Sequence, residues 1–116
     1  MSLKDRFINT SSGGGIEIFF LAVAGGGGGG GNGDGGAAGG GGAGGYLSSW
    51  AGAGSELSGA NSAILDPISA SSGTVLSITI GAGGAVDANG TDTTISATGL
   101  DTIQAIGGGK GAAGNG

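Results

Sequence analysis

The sequence contains no cysteine and no histidine, and proline occurs once. Without cysteine no disulfide framework forms. Without either residue there is no zinc site of the usual nitrogen and sulfur kind, and no Ser-His or Cys-His catalytic pair. Charged residues make up only 9% of the chain, which is not the charge-rich composition of ordinary disorder. Only three residues are Lys or Arg, against eight Asp or Glu, so there is no basic patch for nucleic acid. The longest apolar run, Ile18 to Ala24, is far shorter than the roughly 20 residues a bilayer-spanning helix takes. No apolar leader follows Met1, so a secretory signal is not expected.

What the chain has is glycine, 34 of 116 residues, several-fold above the usual share of about 7%. Large apolar side chains are few, and a core built from them is marginal at this length. The expectation is an oligomer or a stabilising partner.

Residues 1–12 have ordinary composition and carry Lys4 and Arg6. They read as an arm that attaches to another chain, or as a free terminus. Residues 13–116 read as one glycine-rich domain. Within it, GGGIEIFFLAVA (13–24) reads as a strand buried on both faces. TVLSITI (74–80) alternates, with Leu76, Ile78 and Ile80 on one face, and predicts a half-buried strand. TDTTIS (91–96) and TIQAI (102–106) predict two more. Tyr46, Leu47 and Trp50 form a small apolar anchor, and Asp66-Pro67 predicts a turn or strand end.

Of residues 25–45, sixteen are glycine. There is no Gly-X-Y period, so collagen is excluded. Asn32-Gly33-Asp34-Gly35 is a turn signal that divides the stretch into two arms, 25–31 and 35–45. Two readings compete. One is a flexible linker. The other is a pair of polyglycine II helices, with three residues per turn and about 3.1 Å rise per residue. Such a helix has no internal hydrogen bonds, so each N–H and C=O must find a neighbour. Ordering sixteen glycines costs roughly 16–32 kcal/mol at about 1–2 kcal/mol each, which dense lateral bonding has to offset. The ordered reading is preferred, because linkers usually carry Ser, Thr, Pro or charge. Gly25, Gly28, Gly31, Gly35, Gly40 and Gly45 are then structural, and valine at Gly28 or Gly40 is expected to separate packed backbones.

Motifs with a chemical meaning are weak. Gly31 to Gly36 fits G-x-G-x-x-G, but such a match is expected in glycine-rich chain and no helix follows. Gly109-Lys110-Gly111 lacks the Ser or Thr of a phosphate loop. Asp87, Asn89 and Asp92 are oxygen donors for calcium on paper, yet polar turn residues are the ordinary reading. The scattered carboxylates suggest no glycoside-cleaving pair. No enzyme activity, cofactor or metal is expected.

The order of segments is itself a pattern. LAVAGGGGGGG, then GGGGAGGYL, then ITIGAGG, NGTDTTIS and IQAIGGGKGAAGNG resembles the glycine-rich domain of bacteriophage tail fibre and adhesin proteins, over roughly residues 15–116. The resemblance implies a mainly β fold with little or no α-helix: a β-sandwich-like scaffold carrying bundled polyglycine II helices. It implies a virion tail location, a homotrimer, and attachment to other tail proteins, here through residues 1–12. It also implies contact with a host surface protein or glycan through loops, which places Asn32, Asp34, Trp50, Asp87 and Asn89 as candidate contacts. A bacterial extracellular filament subunit that assembles with itself is the alternative. Neither reading calls for nucleic acid or membrane insertion.

Overall fold

A computed structural model describes residues 15–33, 35–49 and 65–114. Among the described residues the regular structure is seven short antiparallel strands and no helix. They are β1 (Gly15–Ile18), β2 (Leu21–Val23), β3 (Tyr46–Ser48), β4 (Ile68–Ser71), β5 (Ser77–Thr79), β6 (Thr93–Ser96) and β7 (Ile103–Ala105). The fold is thus mainly β, as the alternating segments predict. The arm at 1–12, Asp34, Trp50 and most of the 47–63 loop lie outside the described residues.

The single strand expected over 13–24 divides at Phe19-Phe20. β1 pairs with β4, Ile18 opposite Ile68. β2 then pairs with β3, Val23 opposite Tyr46. Ser49 bridges the change of partner. Its Oγ accepts the Phe20 N–H at 2.8 Å, and its own N–H donates to the Phe20 carbonyl at 3.1 Å. The switch therefore leaves neither Phe20 group unsatisfied, which a buried backbone requires.

The third sheet has the order β5-β6-β7, with Ile78 opposite Ile95 and Ile95 opposite Ile103. β2 lies against β6 and β7. The resulting core is small: Phe20, Ala22, Ala24, Ile68, Ala70, Ile95 and Ala105. Four of these seven are alanine, so little side-chain volume holds the strands together.

Two burial expectations are corrected. Strand 13–24 is covered on one face only: Ala22 is 2% exposed, but Leu21 is 60% and Val23 49%. The strand segment at 74–80 is not half-buried, for Ile78 is 60% exposed and Ile80 73%. Both strands alternate as the sequence says. What their apolar faces lack is an opposing layer within this chain.

Candidate functional site: the hydrogen-bonded glycine segments

Beyond β2 the chain enters a region in which bonds between main chains replace side-chain packing. Residues 24–31 form an inner arm. The N–H groups of Ala24, Gly27 and Gly30 donate to the carbonyls of Gly45, Gly42 and Gly39, at 2.8–2.9 Å. Those of Gly108, Gly111 and Gly114 donate to the carbonyls of Gly25, Gly28 and Gly31, at 2.8–3.0 Å. Gly84 and Asp87 donate to Gly26 and Gly29, while Gly25 and Gly28 donate to Thr91 and Ala88. In each series the bonded positions step by three residues. A β-ladder, with its side chains alternating every second residue, does not step in this way.

The inner arm is thus held from several sides. Residues 39–45, an outer arm, run antiparallel to it, and residues 106–114 run parallel. Residues 82–91 fold as a hairpin, and both its limbs bond the inner arm. Each residue from 24 to 31 makes at least one such bond. The outer arm bonds only at Gly39, Gly42 and Gly45, which donate to Ala112, Gly109 and Ile106 and accept from the inner arm. Among the described residues, the peptide groups of 40, 41, 43 and 44 make no hydrogen bond.

Side-chain oxygens complete the pattern where main chain runs out. Asp87 Oδ1 accepts the Gly31 N–H at 2.8 Å, at the far end of the inner arm. Asp87 adopts φ 61°, a left-handed conformation that Asp and Asn tolerate better than most residues. Asn89 Oδ1 accepts the Lys110 N–H at 2.9 Å. Thr93 Oγ1, buried at 3%, donates to the Val23 carbonyl at 2.7 Å and accepts the Gly81 N–H at 2.8 Å. Asp92 Oδ1 accepts the Gly107 N–H at 2.8 Å, and Gln104 Nε2 donates to the other oxygen. The Gly107 bond first, and the Gln104 bond second, hold the Asp92 pKa below its ordinary value.

The site residues expected from sequence therefore fall into distinct groups. Gly25, Gly28 and Gly31 lie on the inner arm and Gly45 at the base of the outer arm, all bonded. Gly28 cannot be replaced freely, since a Cβ there would run into the Ala85 carbonyl. Gly35, at φ +80°, sits in the bend beyond the arm rather than within it. Gly40 differs from the expectation that valine there would part packed backbones. A Cβ on Gly40 meets nothing within 4 Å in this chain, because it lies on the open side of the outer arm.

Of the candidate loop contacts, Asn32 and Asp87 come together at the tip through Gly31, and both are exposed. Asn89 lies along the side, against Lys110. The acceptor roles of Asp87, Asn89, Thr91 and Thr93 were not read from the sequence. The signal was present as small polar residues placed where the glycine runs are interrupted.

Elsewhere, a cleft of about 270 Å³ is lined by Ile68, Ile95, Leu100 and Ile103, with Asp66 and Asp101 also lining it. Among the described residues no three His, Cys, Asp or Glu side chains are grouped to hold a metal ion.

The comparisons with known proteins return no relative. No family model, curated protein or solved structure matches this chain. What it does is therefore read from the bonding pattern and the order of its segments.

Proposed function

We propose that this chain is a structural virion protein, part of a bacteriophage tail fibre or fibre-tip adhesin that supports host attachment. The observation that carries the reading is the three-residue step of the bonds between the arms. A backbone that offers its groups every third residue to neighbours on several sides is what polyglycine II helices require, at three residues per turn. In this reading residues 24–31, 39–45 and 106–114 are such helices, and the small sheets form a β-sandwich-like base. The same order of strand, glycine run and turn underlies the resemblance to phage tail proteins.

The role is mechanical. A bundle bonded through its main chain holds a tip carrying Asn32 and Asp87 at a distance from the base. Asp34 and Trp50 complete the candidate contacts for a host surface protein or glycan. The chain acts as a homo-oligomer, with a trimer the expected number, and residues 1–12 attach it to other tail proteins. No catalytic step, cofactor or metal enters this role.

The alternative is a subunit of a bacterial extracellular filament that assembles with itself. The open side of the outer arm favours it, since another copy could extend the bonding indefinitely. Electron microscopy of native particles labelled with a gold-conjugated antibody to the purified chain separates the two. Label on phage tails is the expected result. Label along cell-surface filaments, with virions unlabelled, would overturn the tail assignment.

A further inference from the structure

The third sheet has an edge that the chain leaves open. β6 lies on one side of β5, and among the described residues nothing pairs with the other side. β5 also presents apolar side chains to solvent. Val75 is 79% exposed, Ile78 60% and Ile80 73%. Ile78 stands opposite Ile95, which is 8% exposed, so β5 extends the apolar face of its sheet past the layer that covers β6.

Natural sheets guard such edges with charge, proline or a bulge. Residues 68–86 contain no Lys, Arg, Asp, Glu or Pro. The neutrality matters in a chain of net charge -5, because copies meeting elsewhere would bring carboxylates together. An uncharged edge with unpaired main chain and isoleucines beside it is complementary to another copy of itself.

We propose that β5 is where copies of this chain meet, with Ile78 and Ile80 of one copy packed against Ile78 and Ile80 of another. The inference rests on the homo-oligomer reading above and names its surface. The occupant is a second copy rather than a remote part of the same chain. Residues 65–114 are described without interruption around β5, whereas residues 1–14 and 50–64 adjoin β1, β3 and β4 in sequence. The other bare apolar stripe, Phe19, Leu21 and Val23, lies on those strands and is the comparison surface.

The test is sedimentation equilibrium of the full chain across a hundredfold concentration range, with Ile78→Lys, Ile80→Lys and Leu21→Lys. All three positions are at least 60% exposed, so the fold of each is checked by circular dichroism. Wild type is expected to self-associate. Each isoleucine variant should weaken association tenfold or more, and Leu21→Lys should not. Amide exchange at Ser77, Ile78 and Thr79 in wild type should slow as concentration rises, which keeps the test valid if a variant unfolds. A wild-type chain that stays monomeric overturns the oligomer reading and this inference with it. An oligomer that survives both isoleucine substitutions, or exchange at β5 that ignores concentration, overturns this inference alone.

Discussion

The inner and outer arms have almost the same composition but different surroundings. Residues 24–31 are bonded at each position, from the outer arm, from 106–114 and from both limbs of the 82–91 hairpin. Residues 39–45 are bonded at every third position, and the remaining peptide groups face outward. Glycine at similar density thus does two jobs. In the inner arm it lets neighbouring main chains come within bonding distance where a Cβ would intrude. In the outer arm, as at Gly40, it leaves a surface whose donors and acceptors are unspent. The difference follows from the number of neighbours, which is a property of the fold and not of the segment.

The sharpest contrast comes from one substitution made in both arms. Gly28→Val drives a branched side chain into the Ala85 carbonyl. It should destabilise the chain by about 3–5 kcal/mol, or prevent folding, at the upper end of what overpacking costs. Gly40→Val has no neighbour within 4 Å to disturb and should stay within about 0.5 kcal/mol of wild type. Urea unfolding of the two variants measures the gap, and equal losses would erase the distinction between the arms.

A smaller effect is expected where the inner arm leaves β2. Thr93→Val keeps the shape but removes the hydroxyl that binds the Val23 carbonyl and the Gly81 N–H. Leaving these groups unpartnered should cost about 2 kcal/mol. The loss should also speed amide exchange at Gly81 before it speeds exchange within β6.

The smallest effect is a dependence on pH at the base of residues 106–114. The Asp92 pKa is depressed in the folded chain by the Gly107 and Gln104 bonds. Its contribution is therefore present above the unfolded carboxylate value of about 3.9, and is lost as pH falls through the lower folded value. Thermal melts from pH 6 to pH 2 should show a shallower acid loss in Asp92→Asn than in wild type. An unchanged acid profile would mean that Asp92 does not hold Gly107.

Much of the strand content was legible because period-two alternation survives in a glycine-rich chain. TDTTIS and TIQAI became β6 and β7, trimmed by a residue or two. Two strands were missed. β4, Ile-Ser-Ala-Ser, alternates too, but its inward residues are only Ile68 and Ala70, and the adjacent Asp66-Pro67 drew the reading toward a turn. β3 begins in the aromatic anchor and was taken for a plug.

The partners of the arms were not legible at all. Polyglycine carries no side chain to specify which neighbour it bonds, so register must come from elsewhere. Here it comes from Asp87, Asn89, Thr91 and Thr93, which fix particular N–H groups at the ends and flanks. Read one residue at a time, these look like loop or ligand positions. Their role emerges only when the opposing main chain is in place. The missing layer over β5 is likewise invisible to a pattern that reports which face is apolar but not whether anything covers it.

Hydrogen exchange resolved to single amides in the dilute, monomeric chain tests the central claim most directly. The N–H groups of Ala24, Gly25, Gly27, Gly28 and Gly30 should be slow, as should those of Gly39, Gly42 and Gly45, while Gly40, Gly41, Ala43 and Gly44 exchange freely. That three-residue rhythm in the outer arm, beside broad protection in the inner one, is the predicted result. Uniformly fast exchange through residues 24–45 would contradict the account and leave the glycine segments as tethers between small sheets.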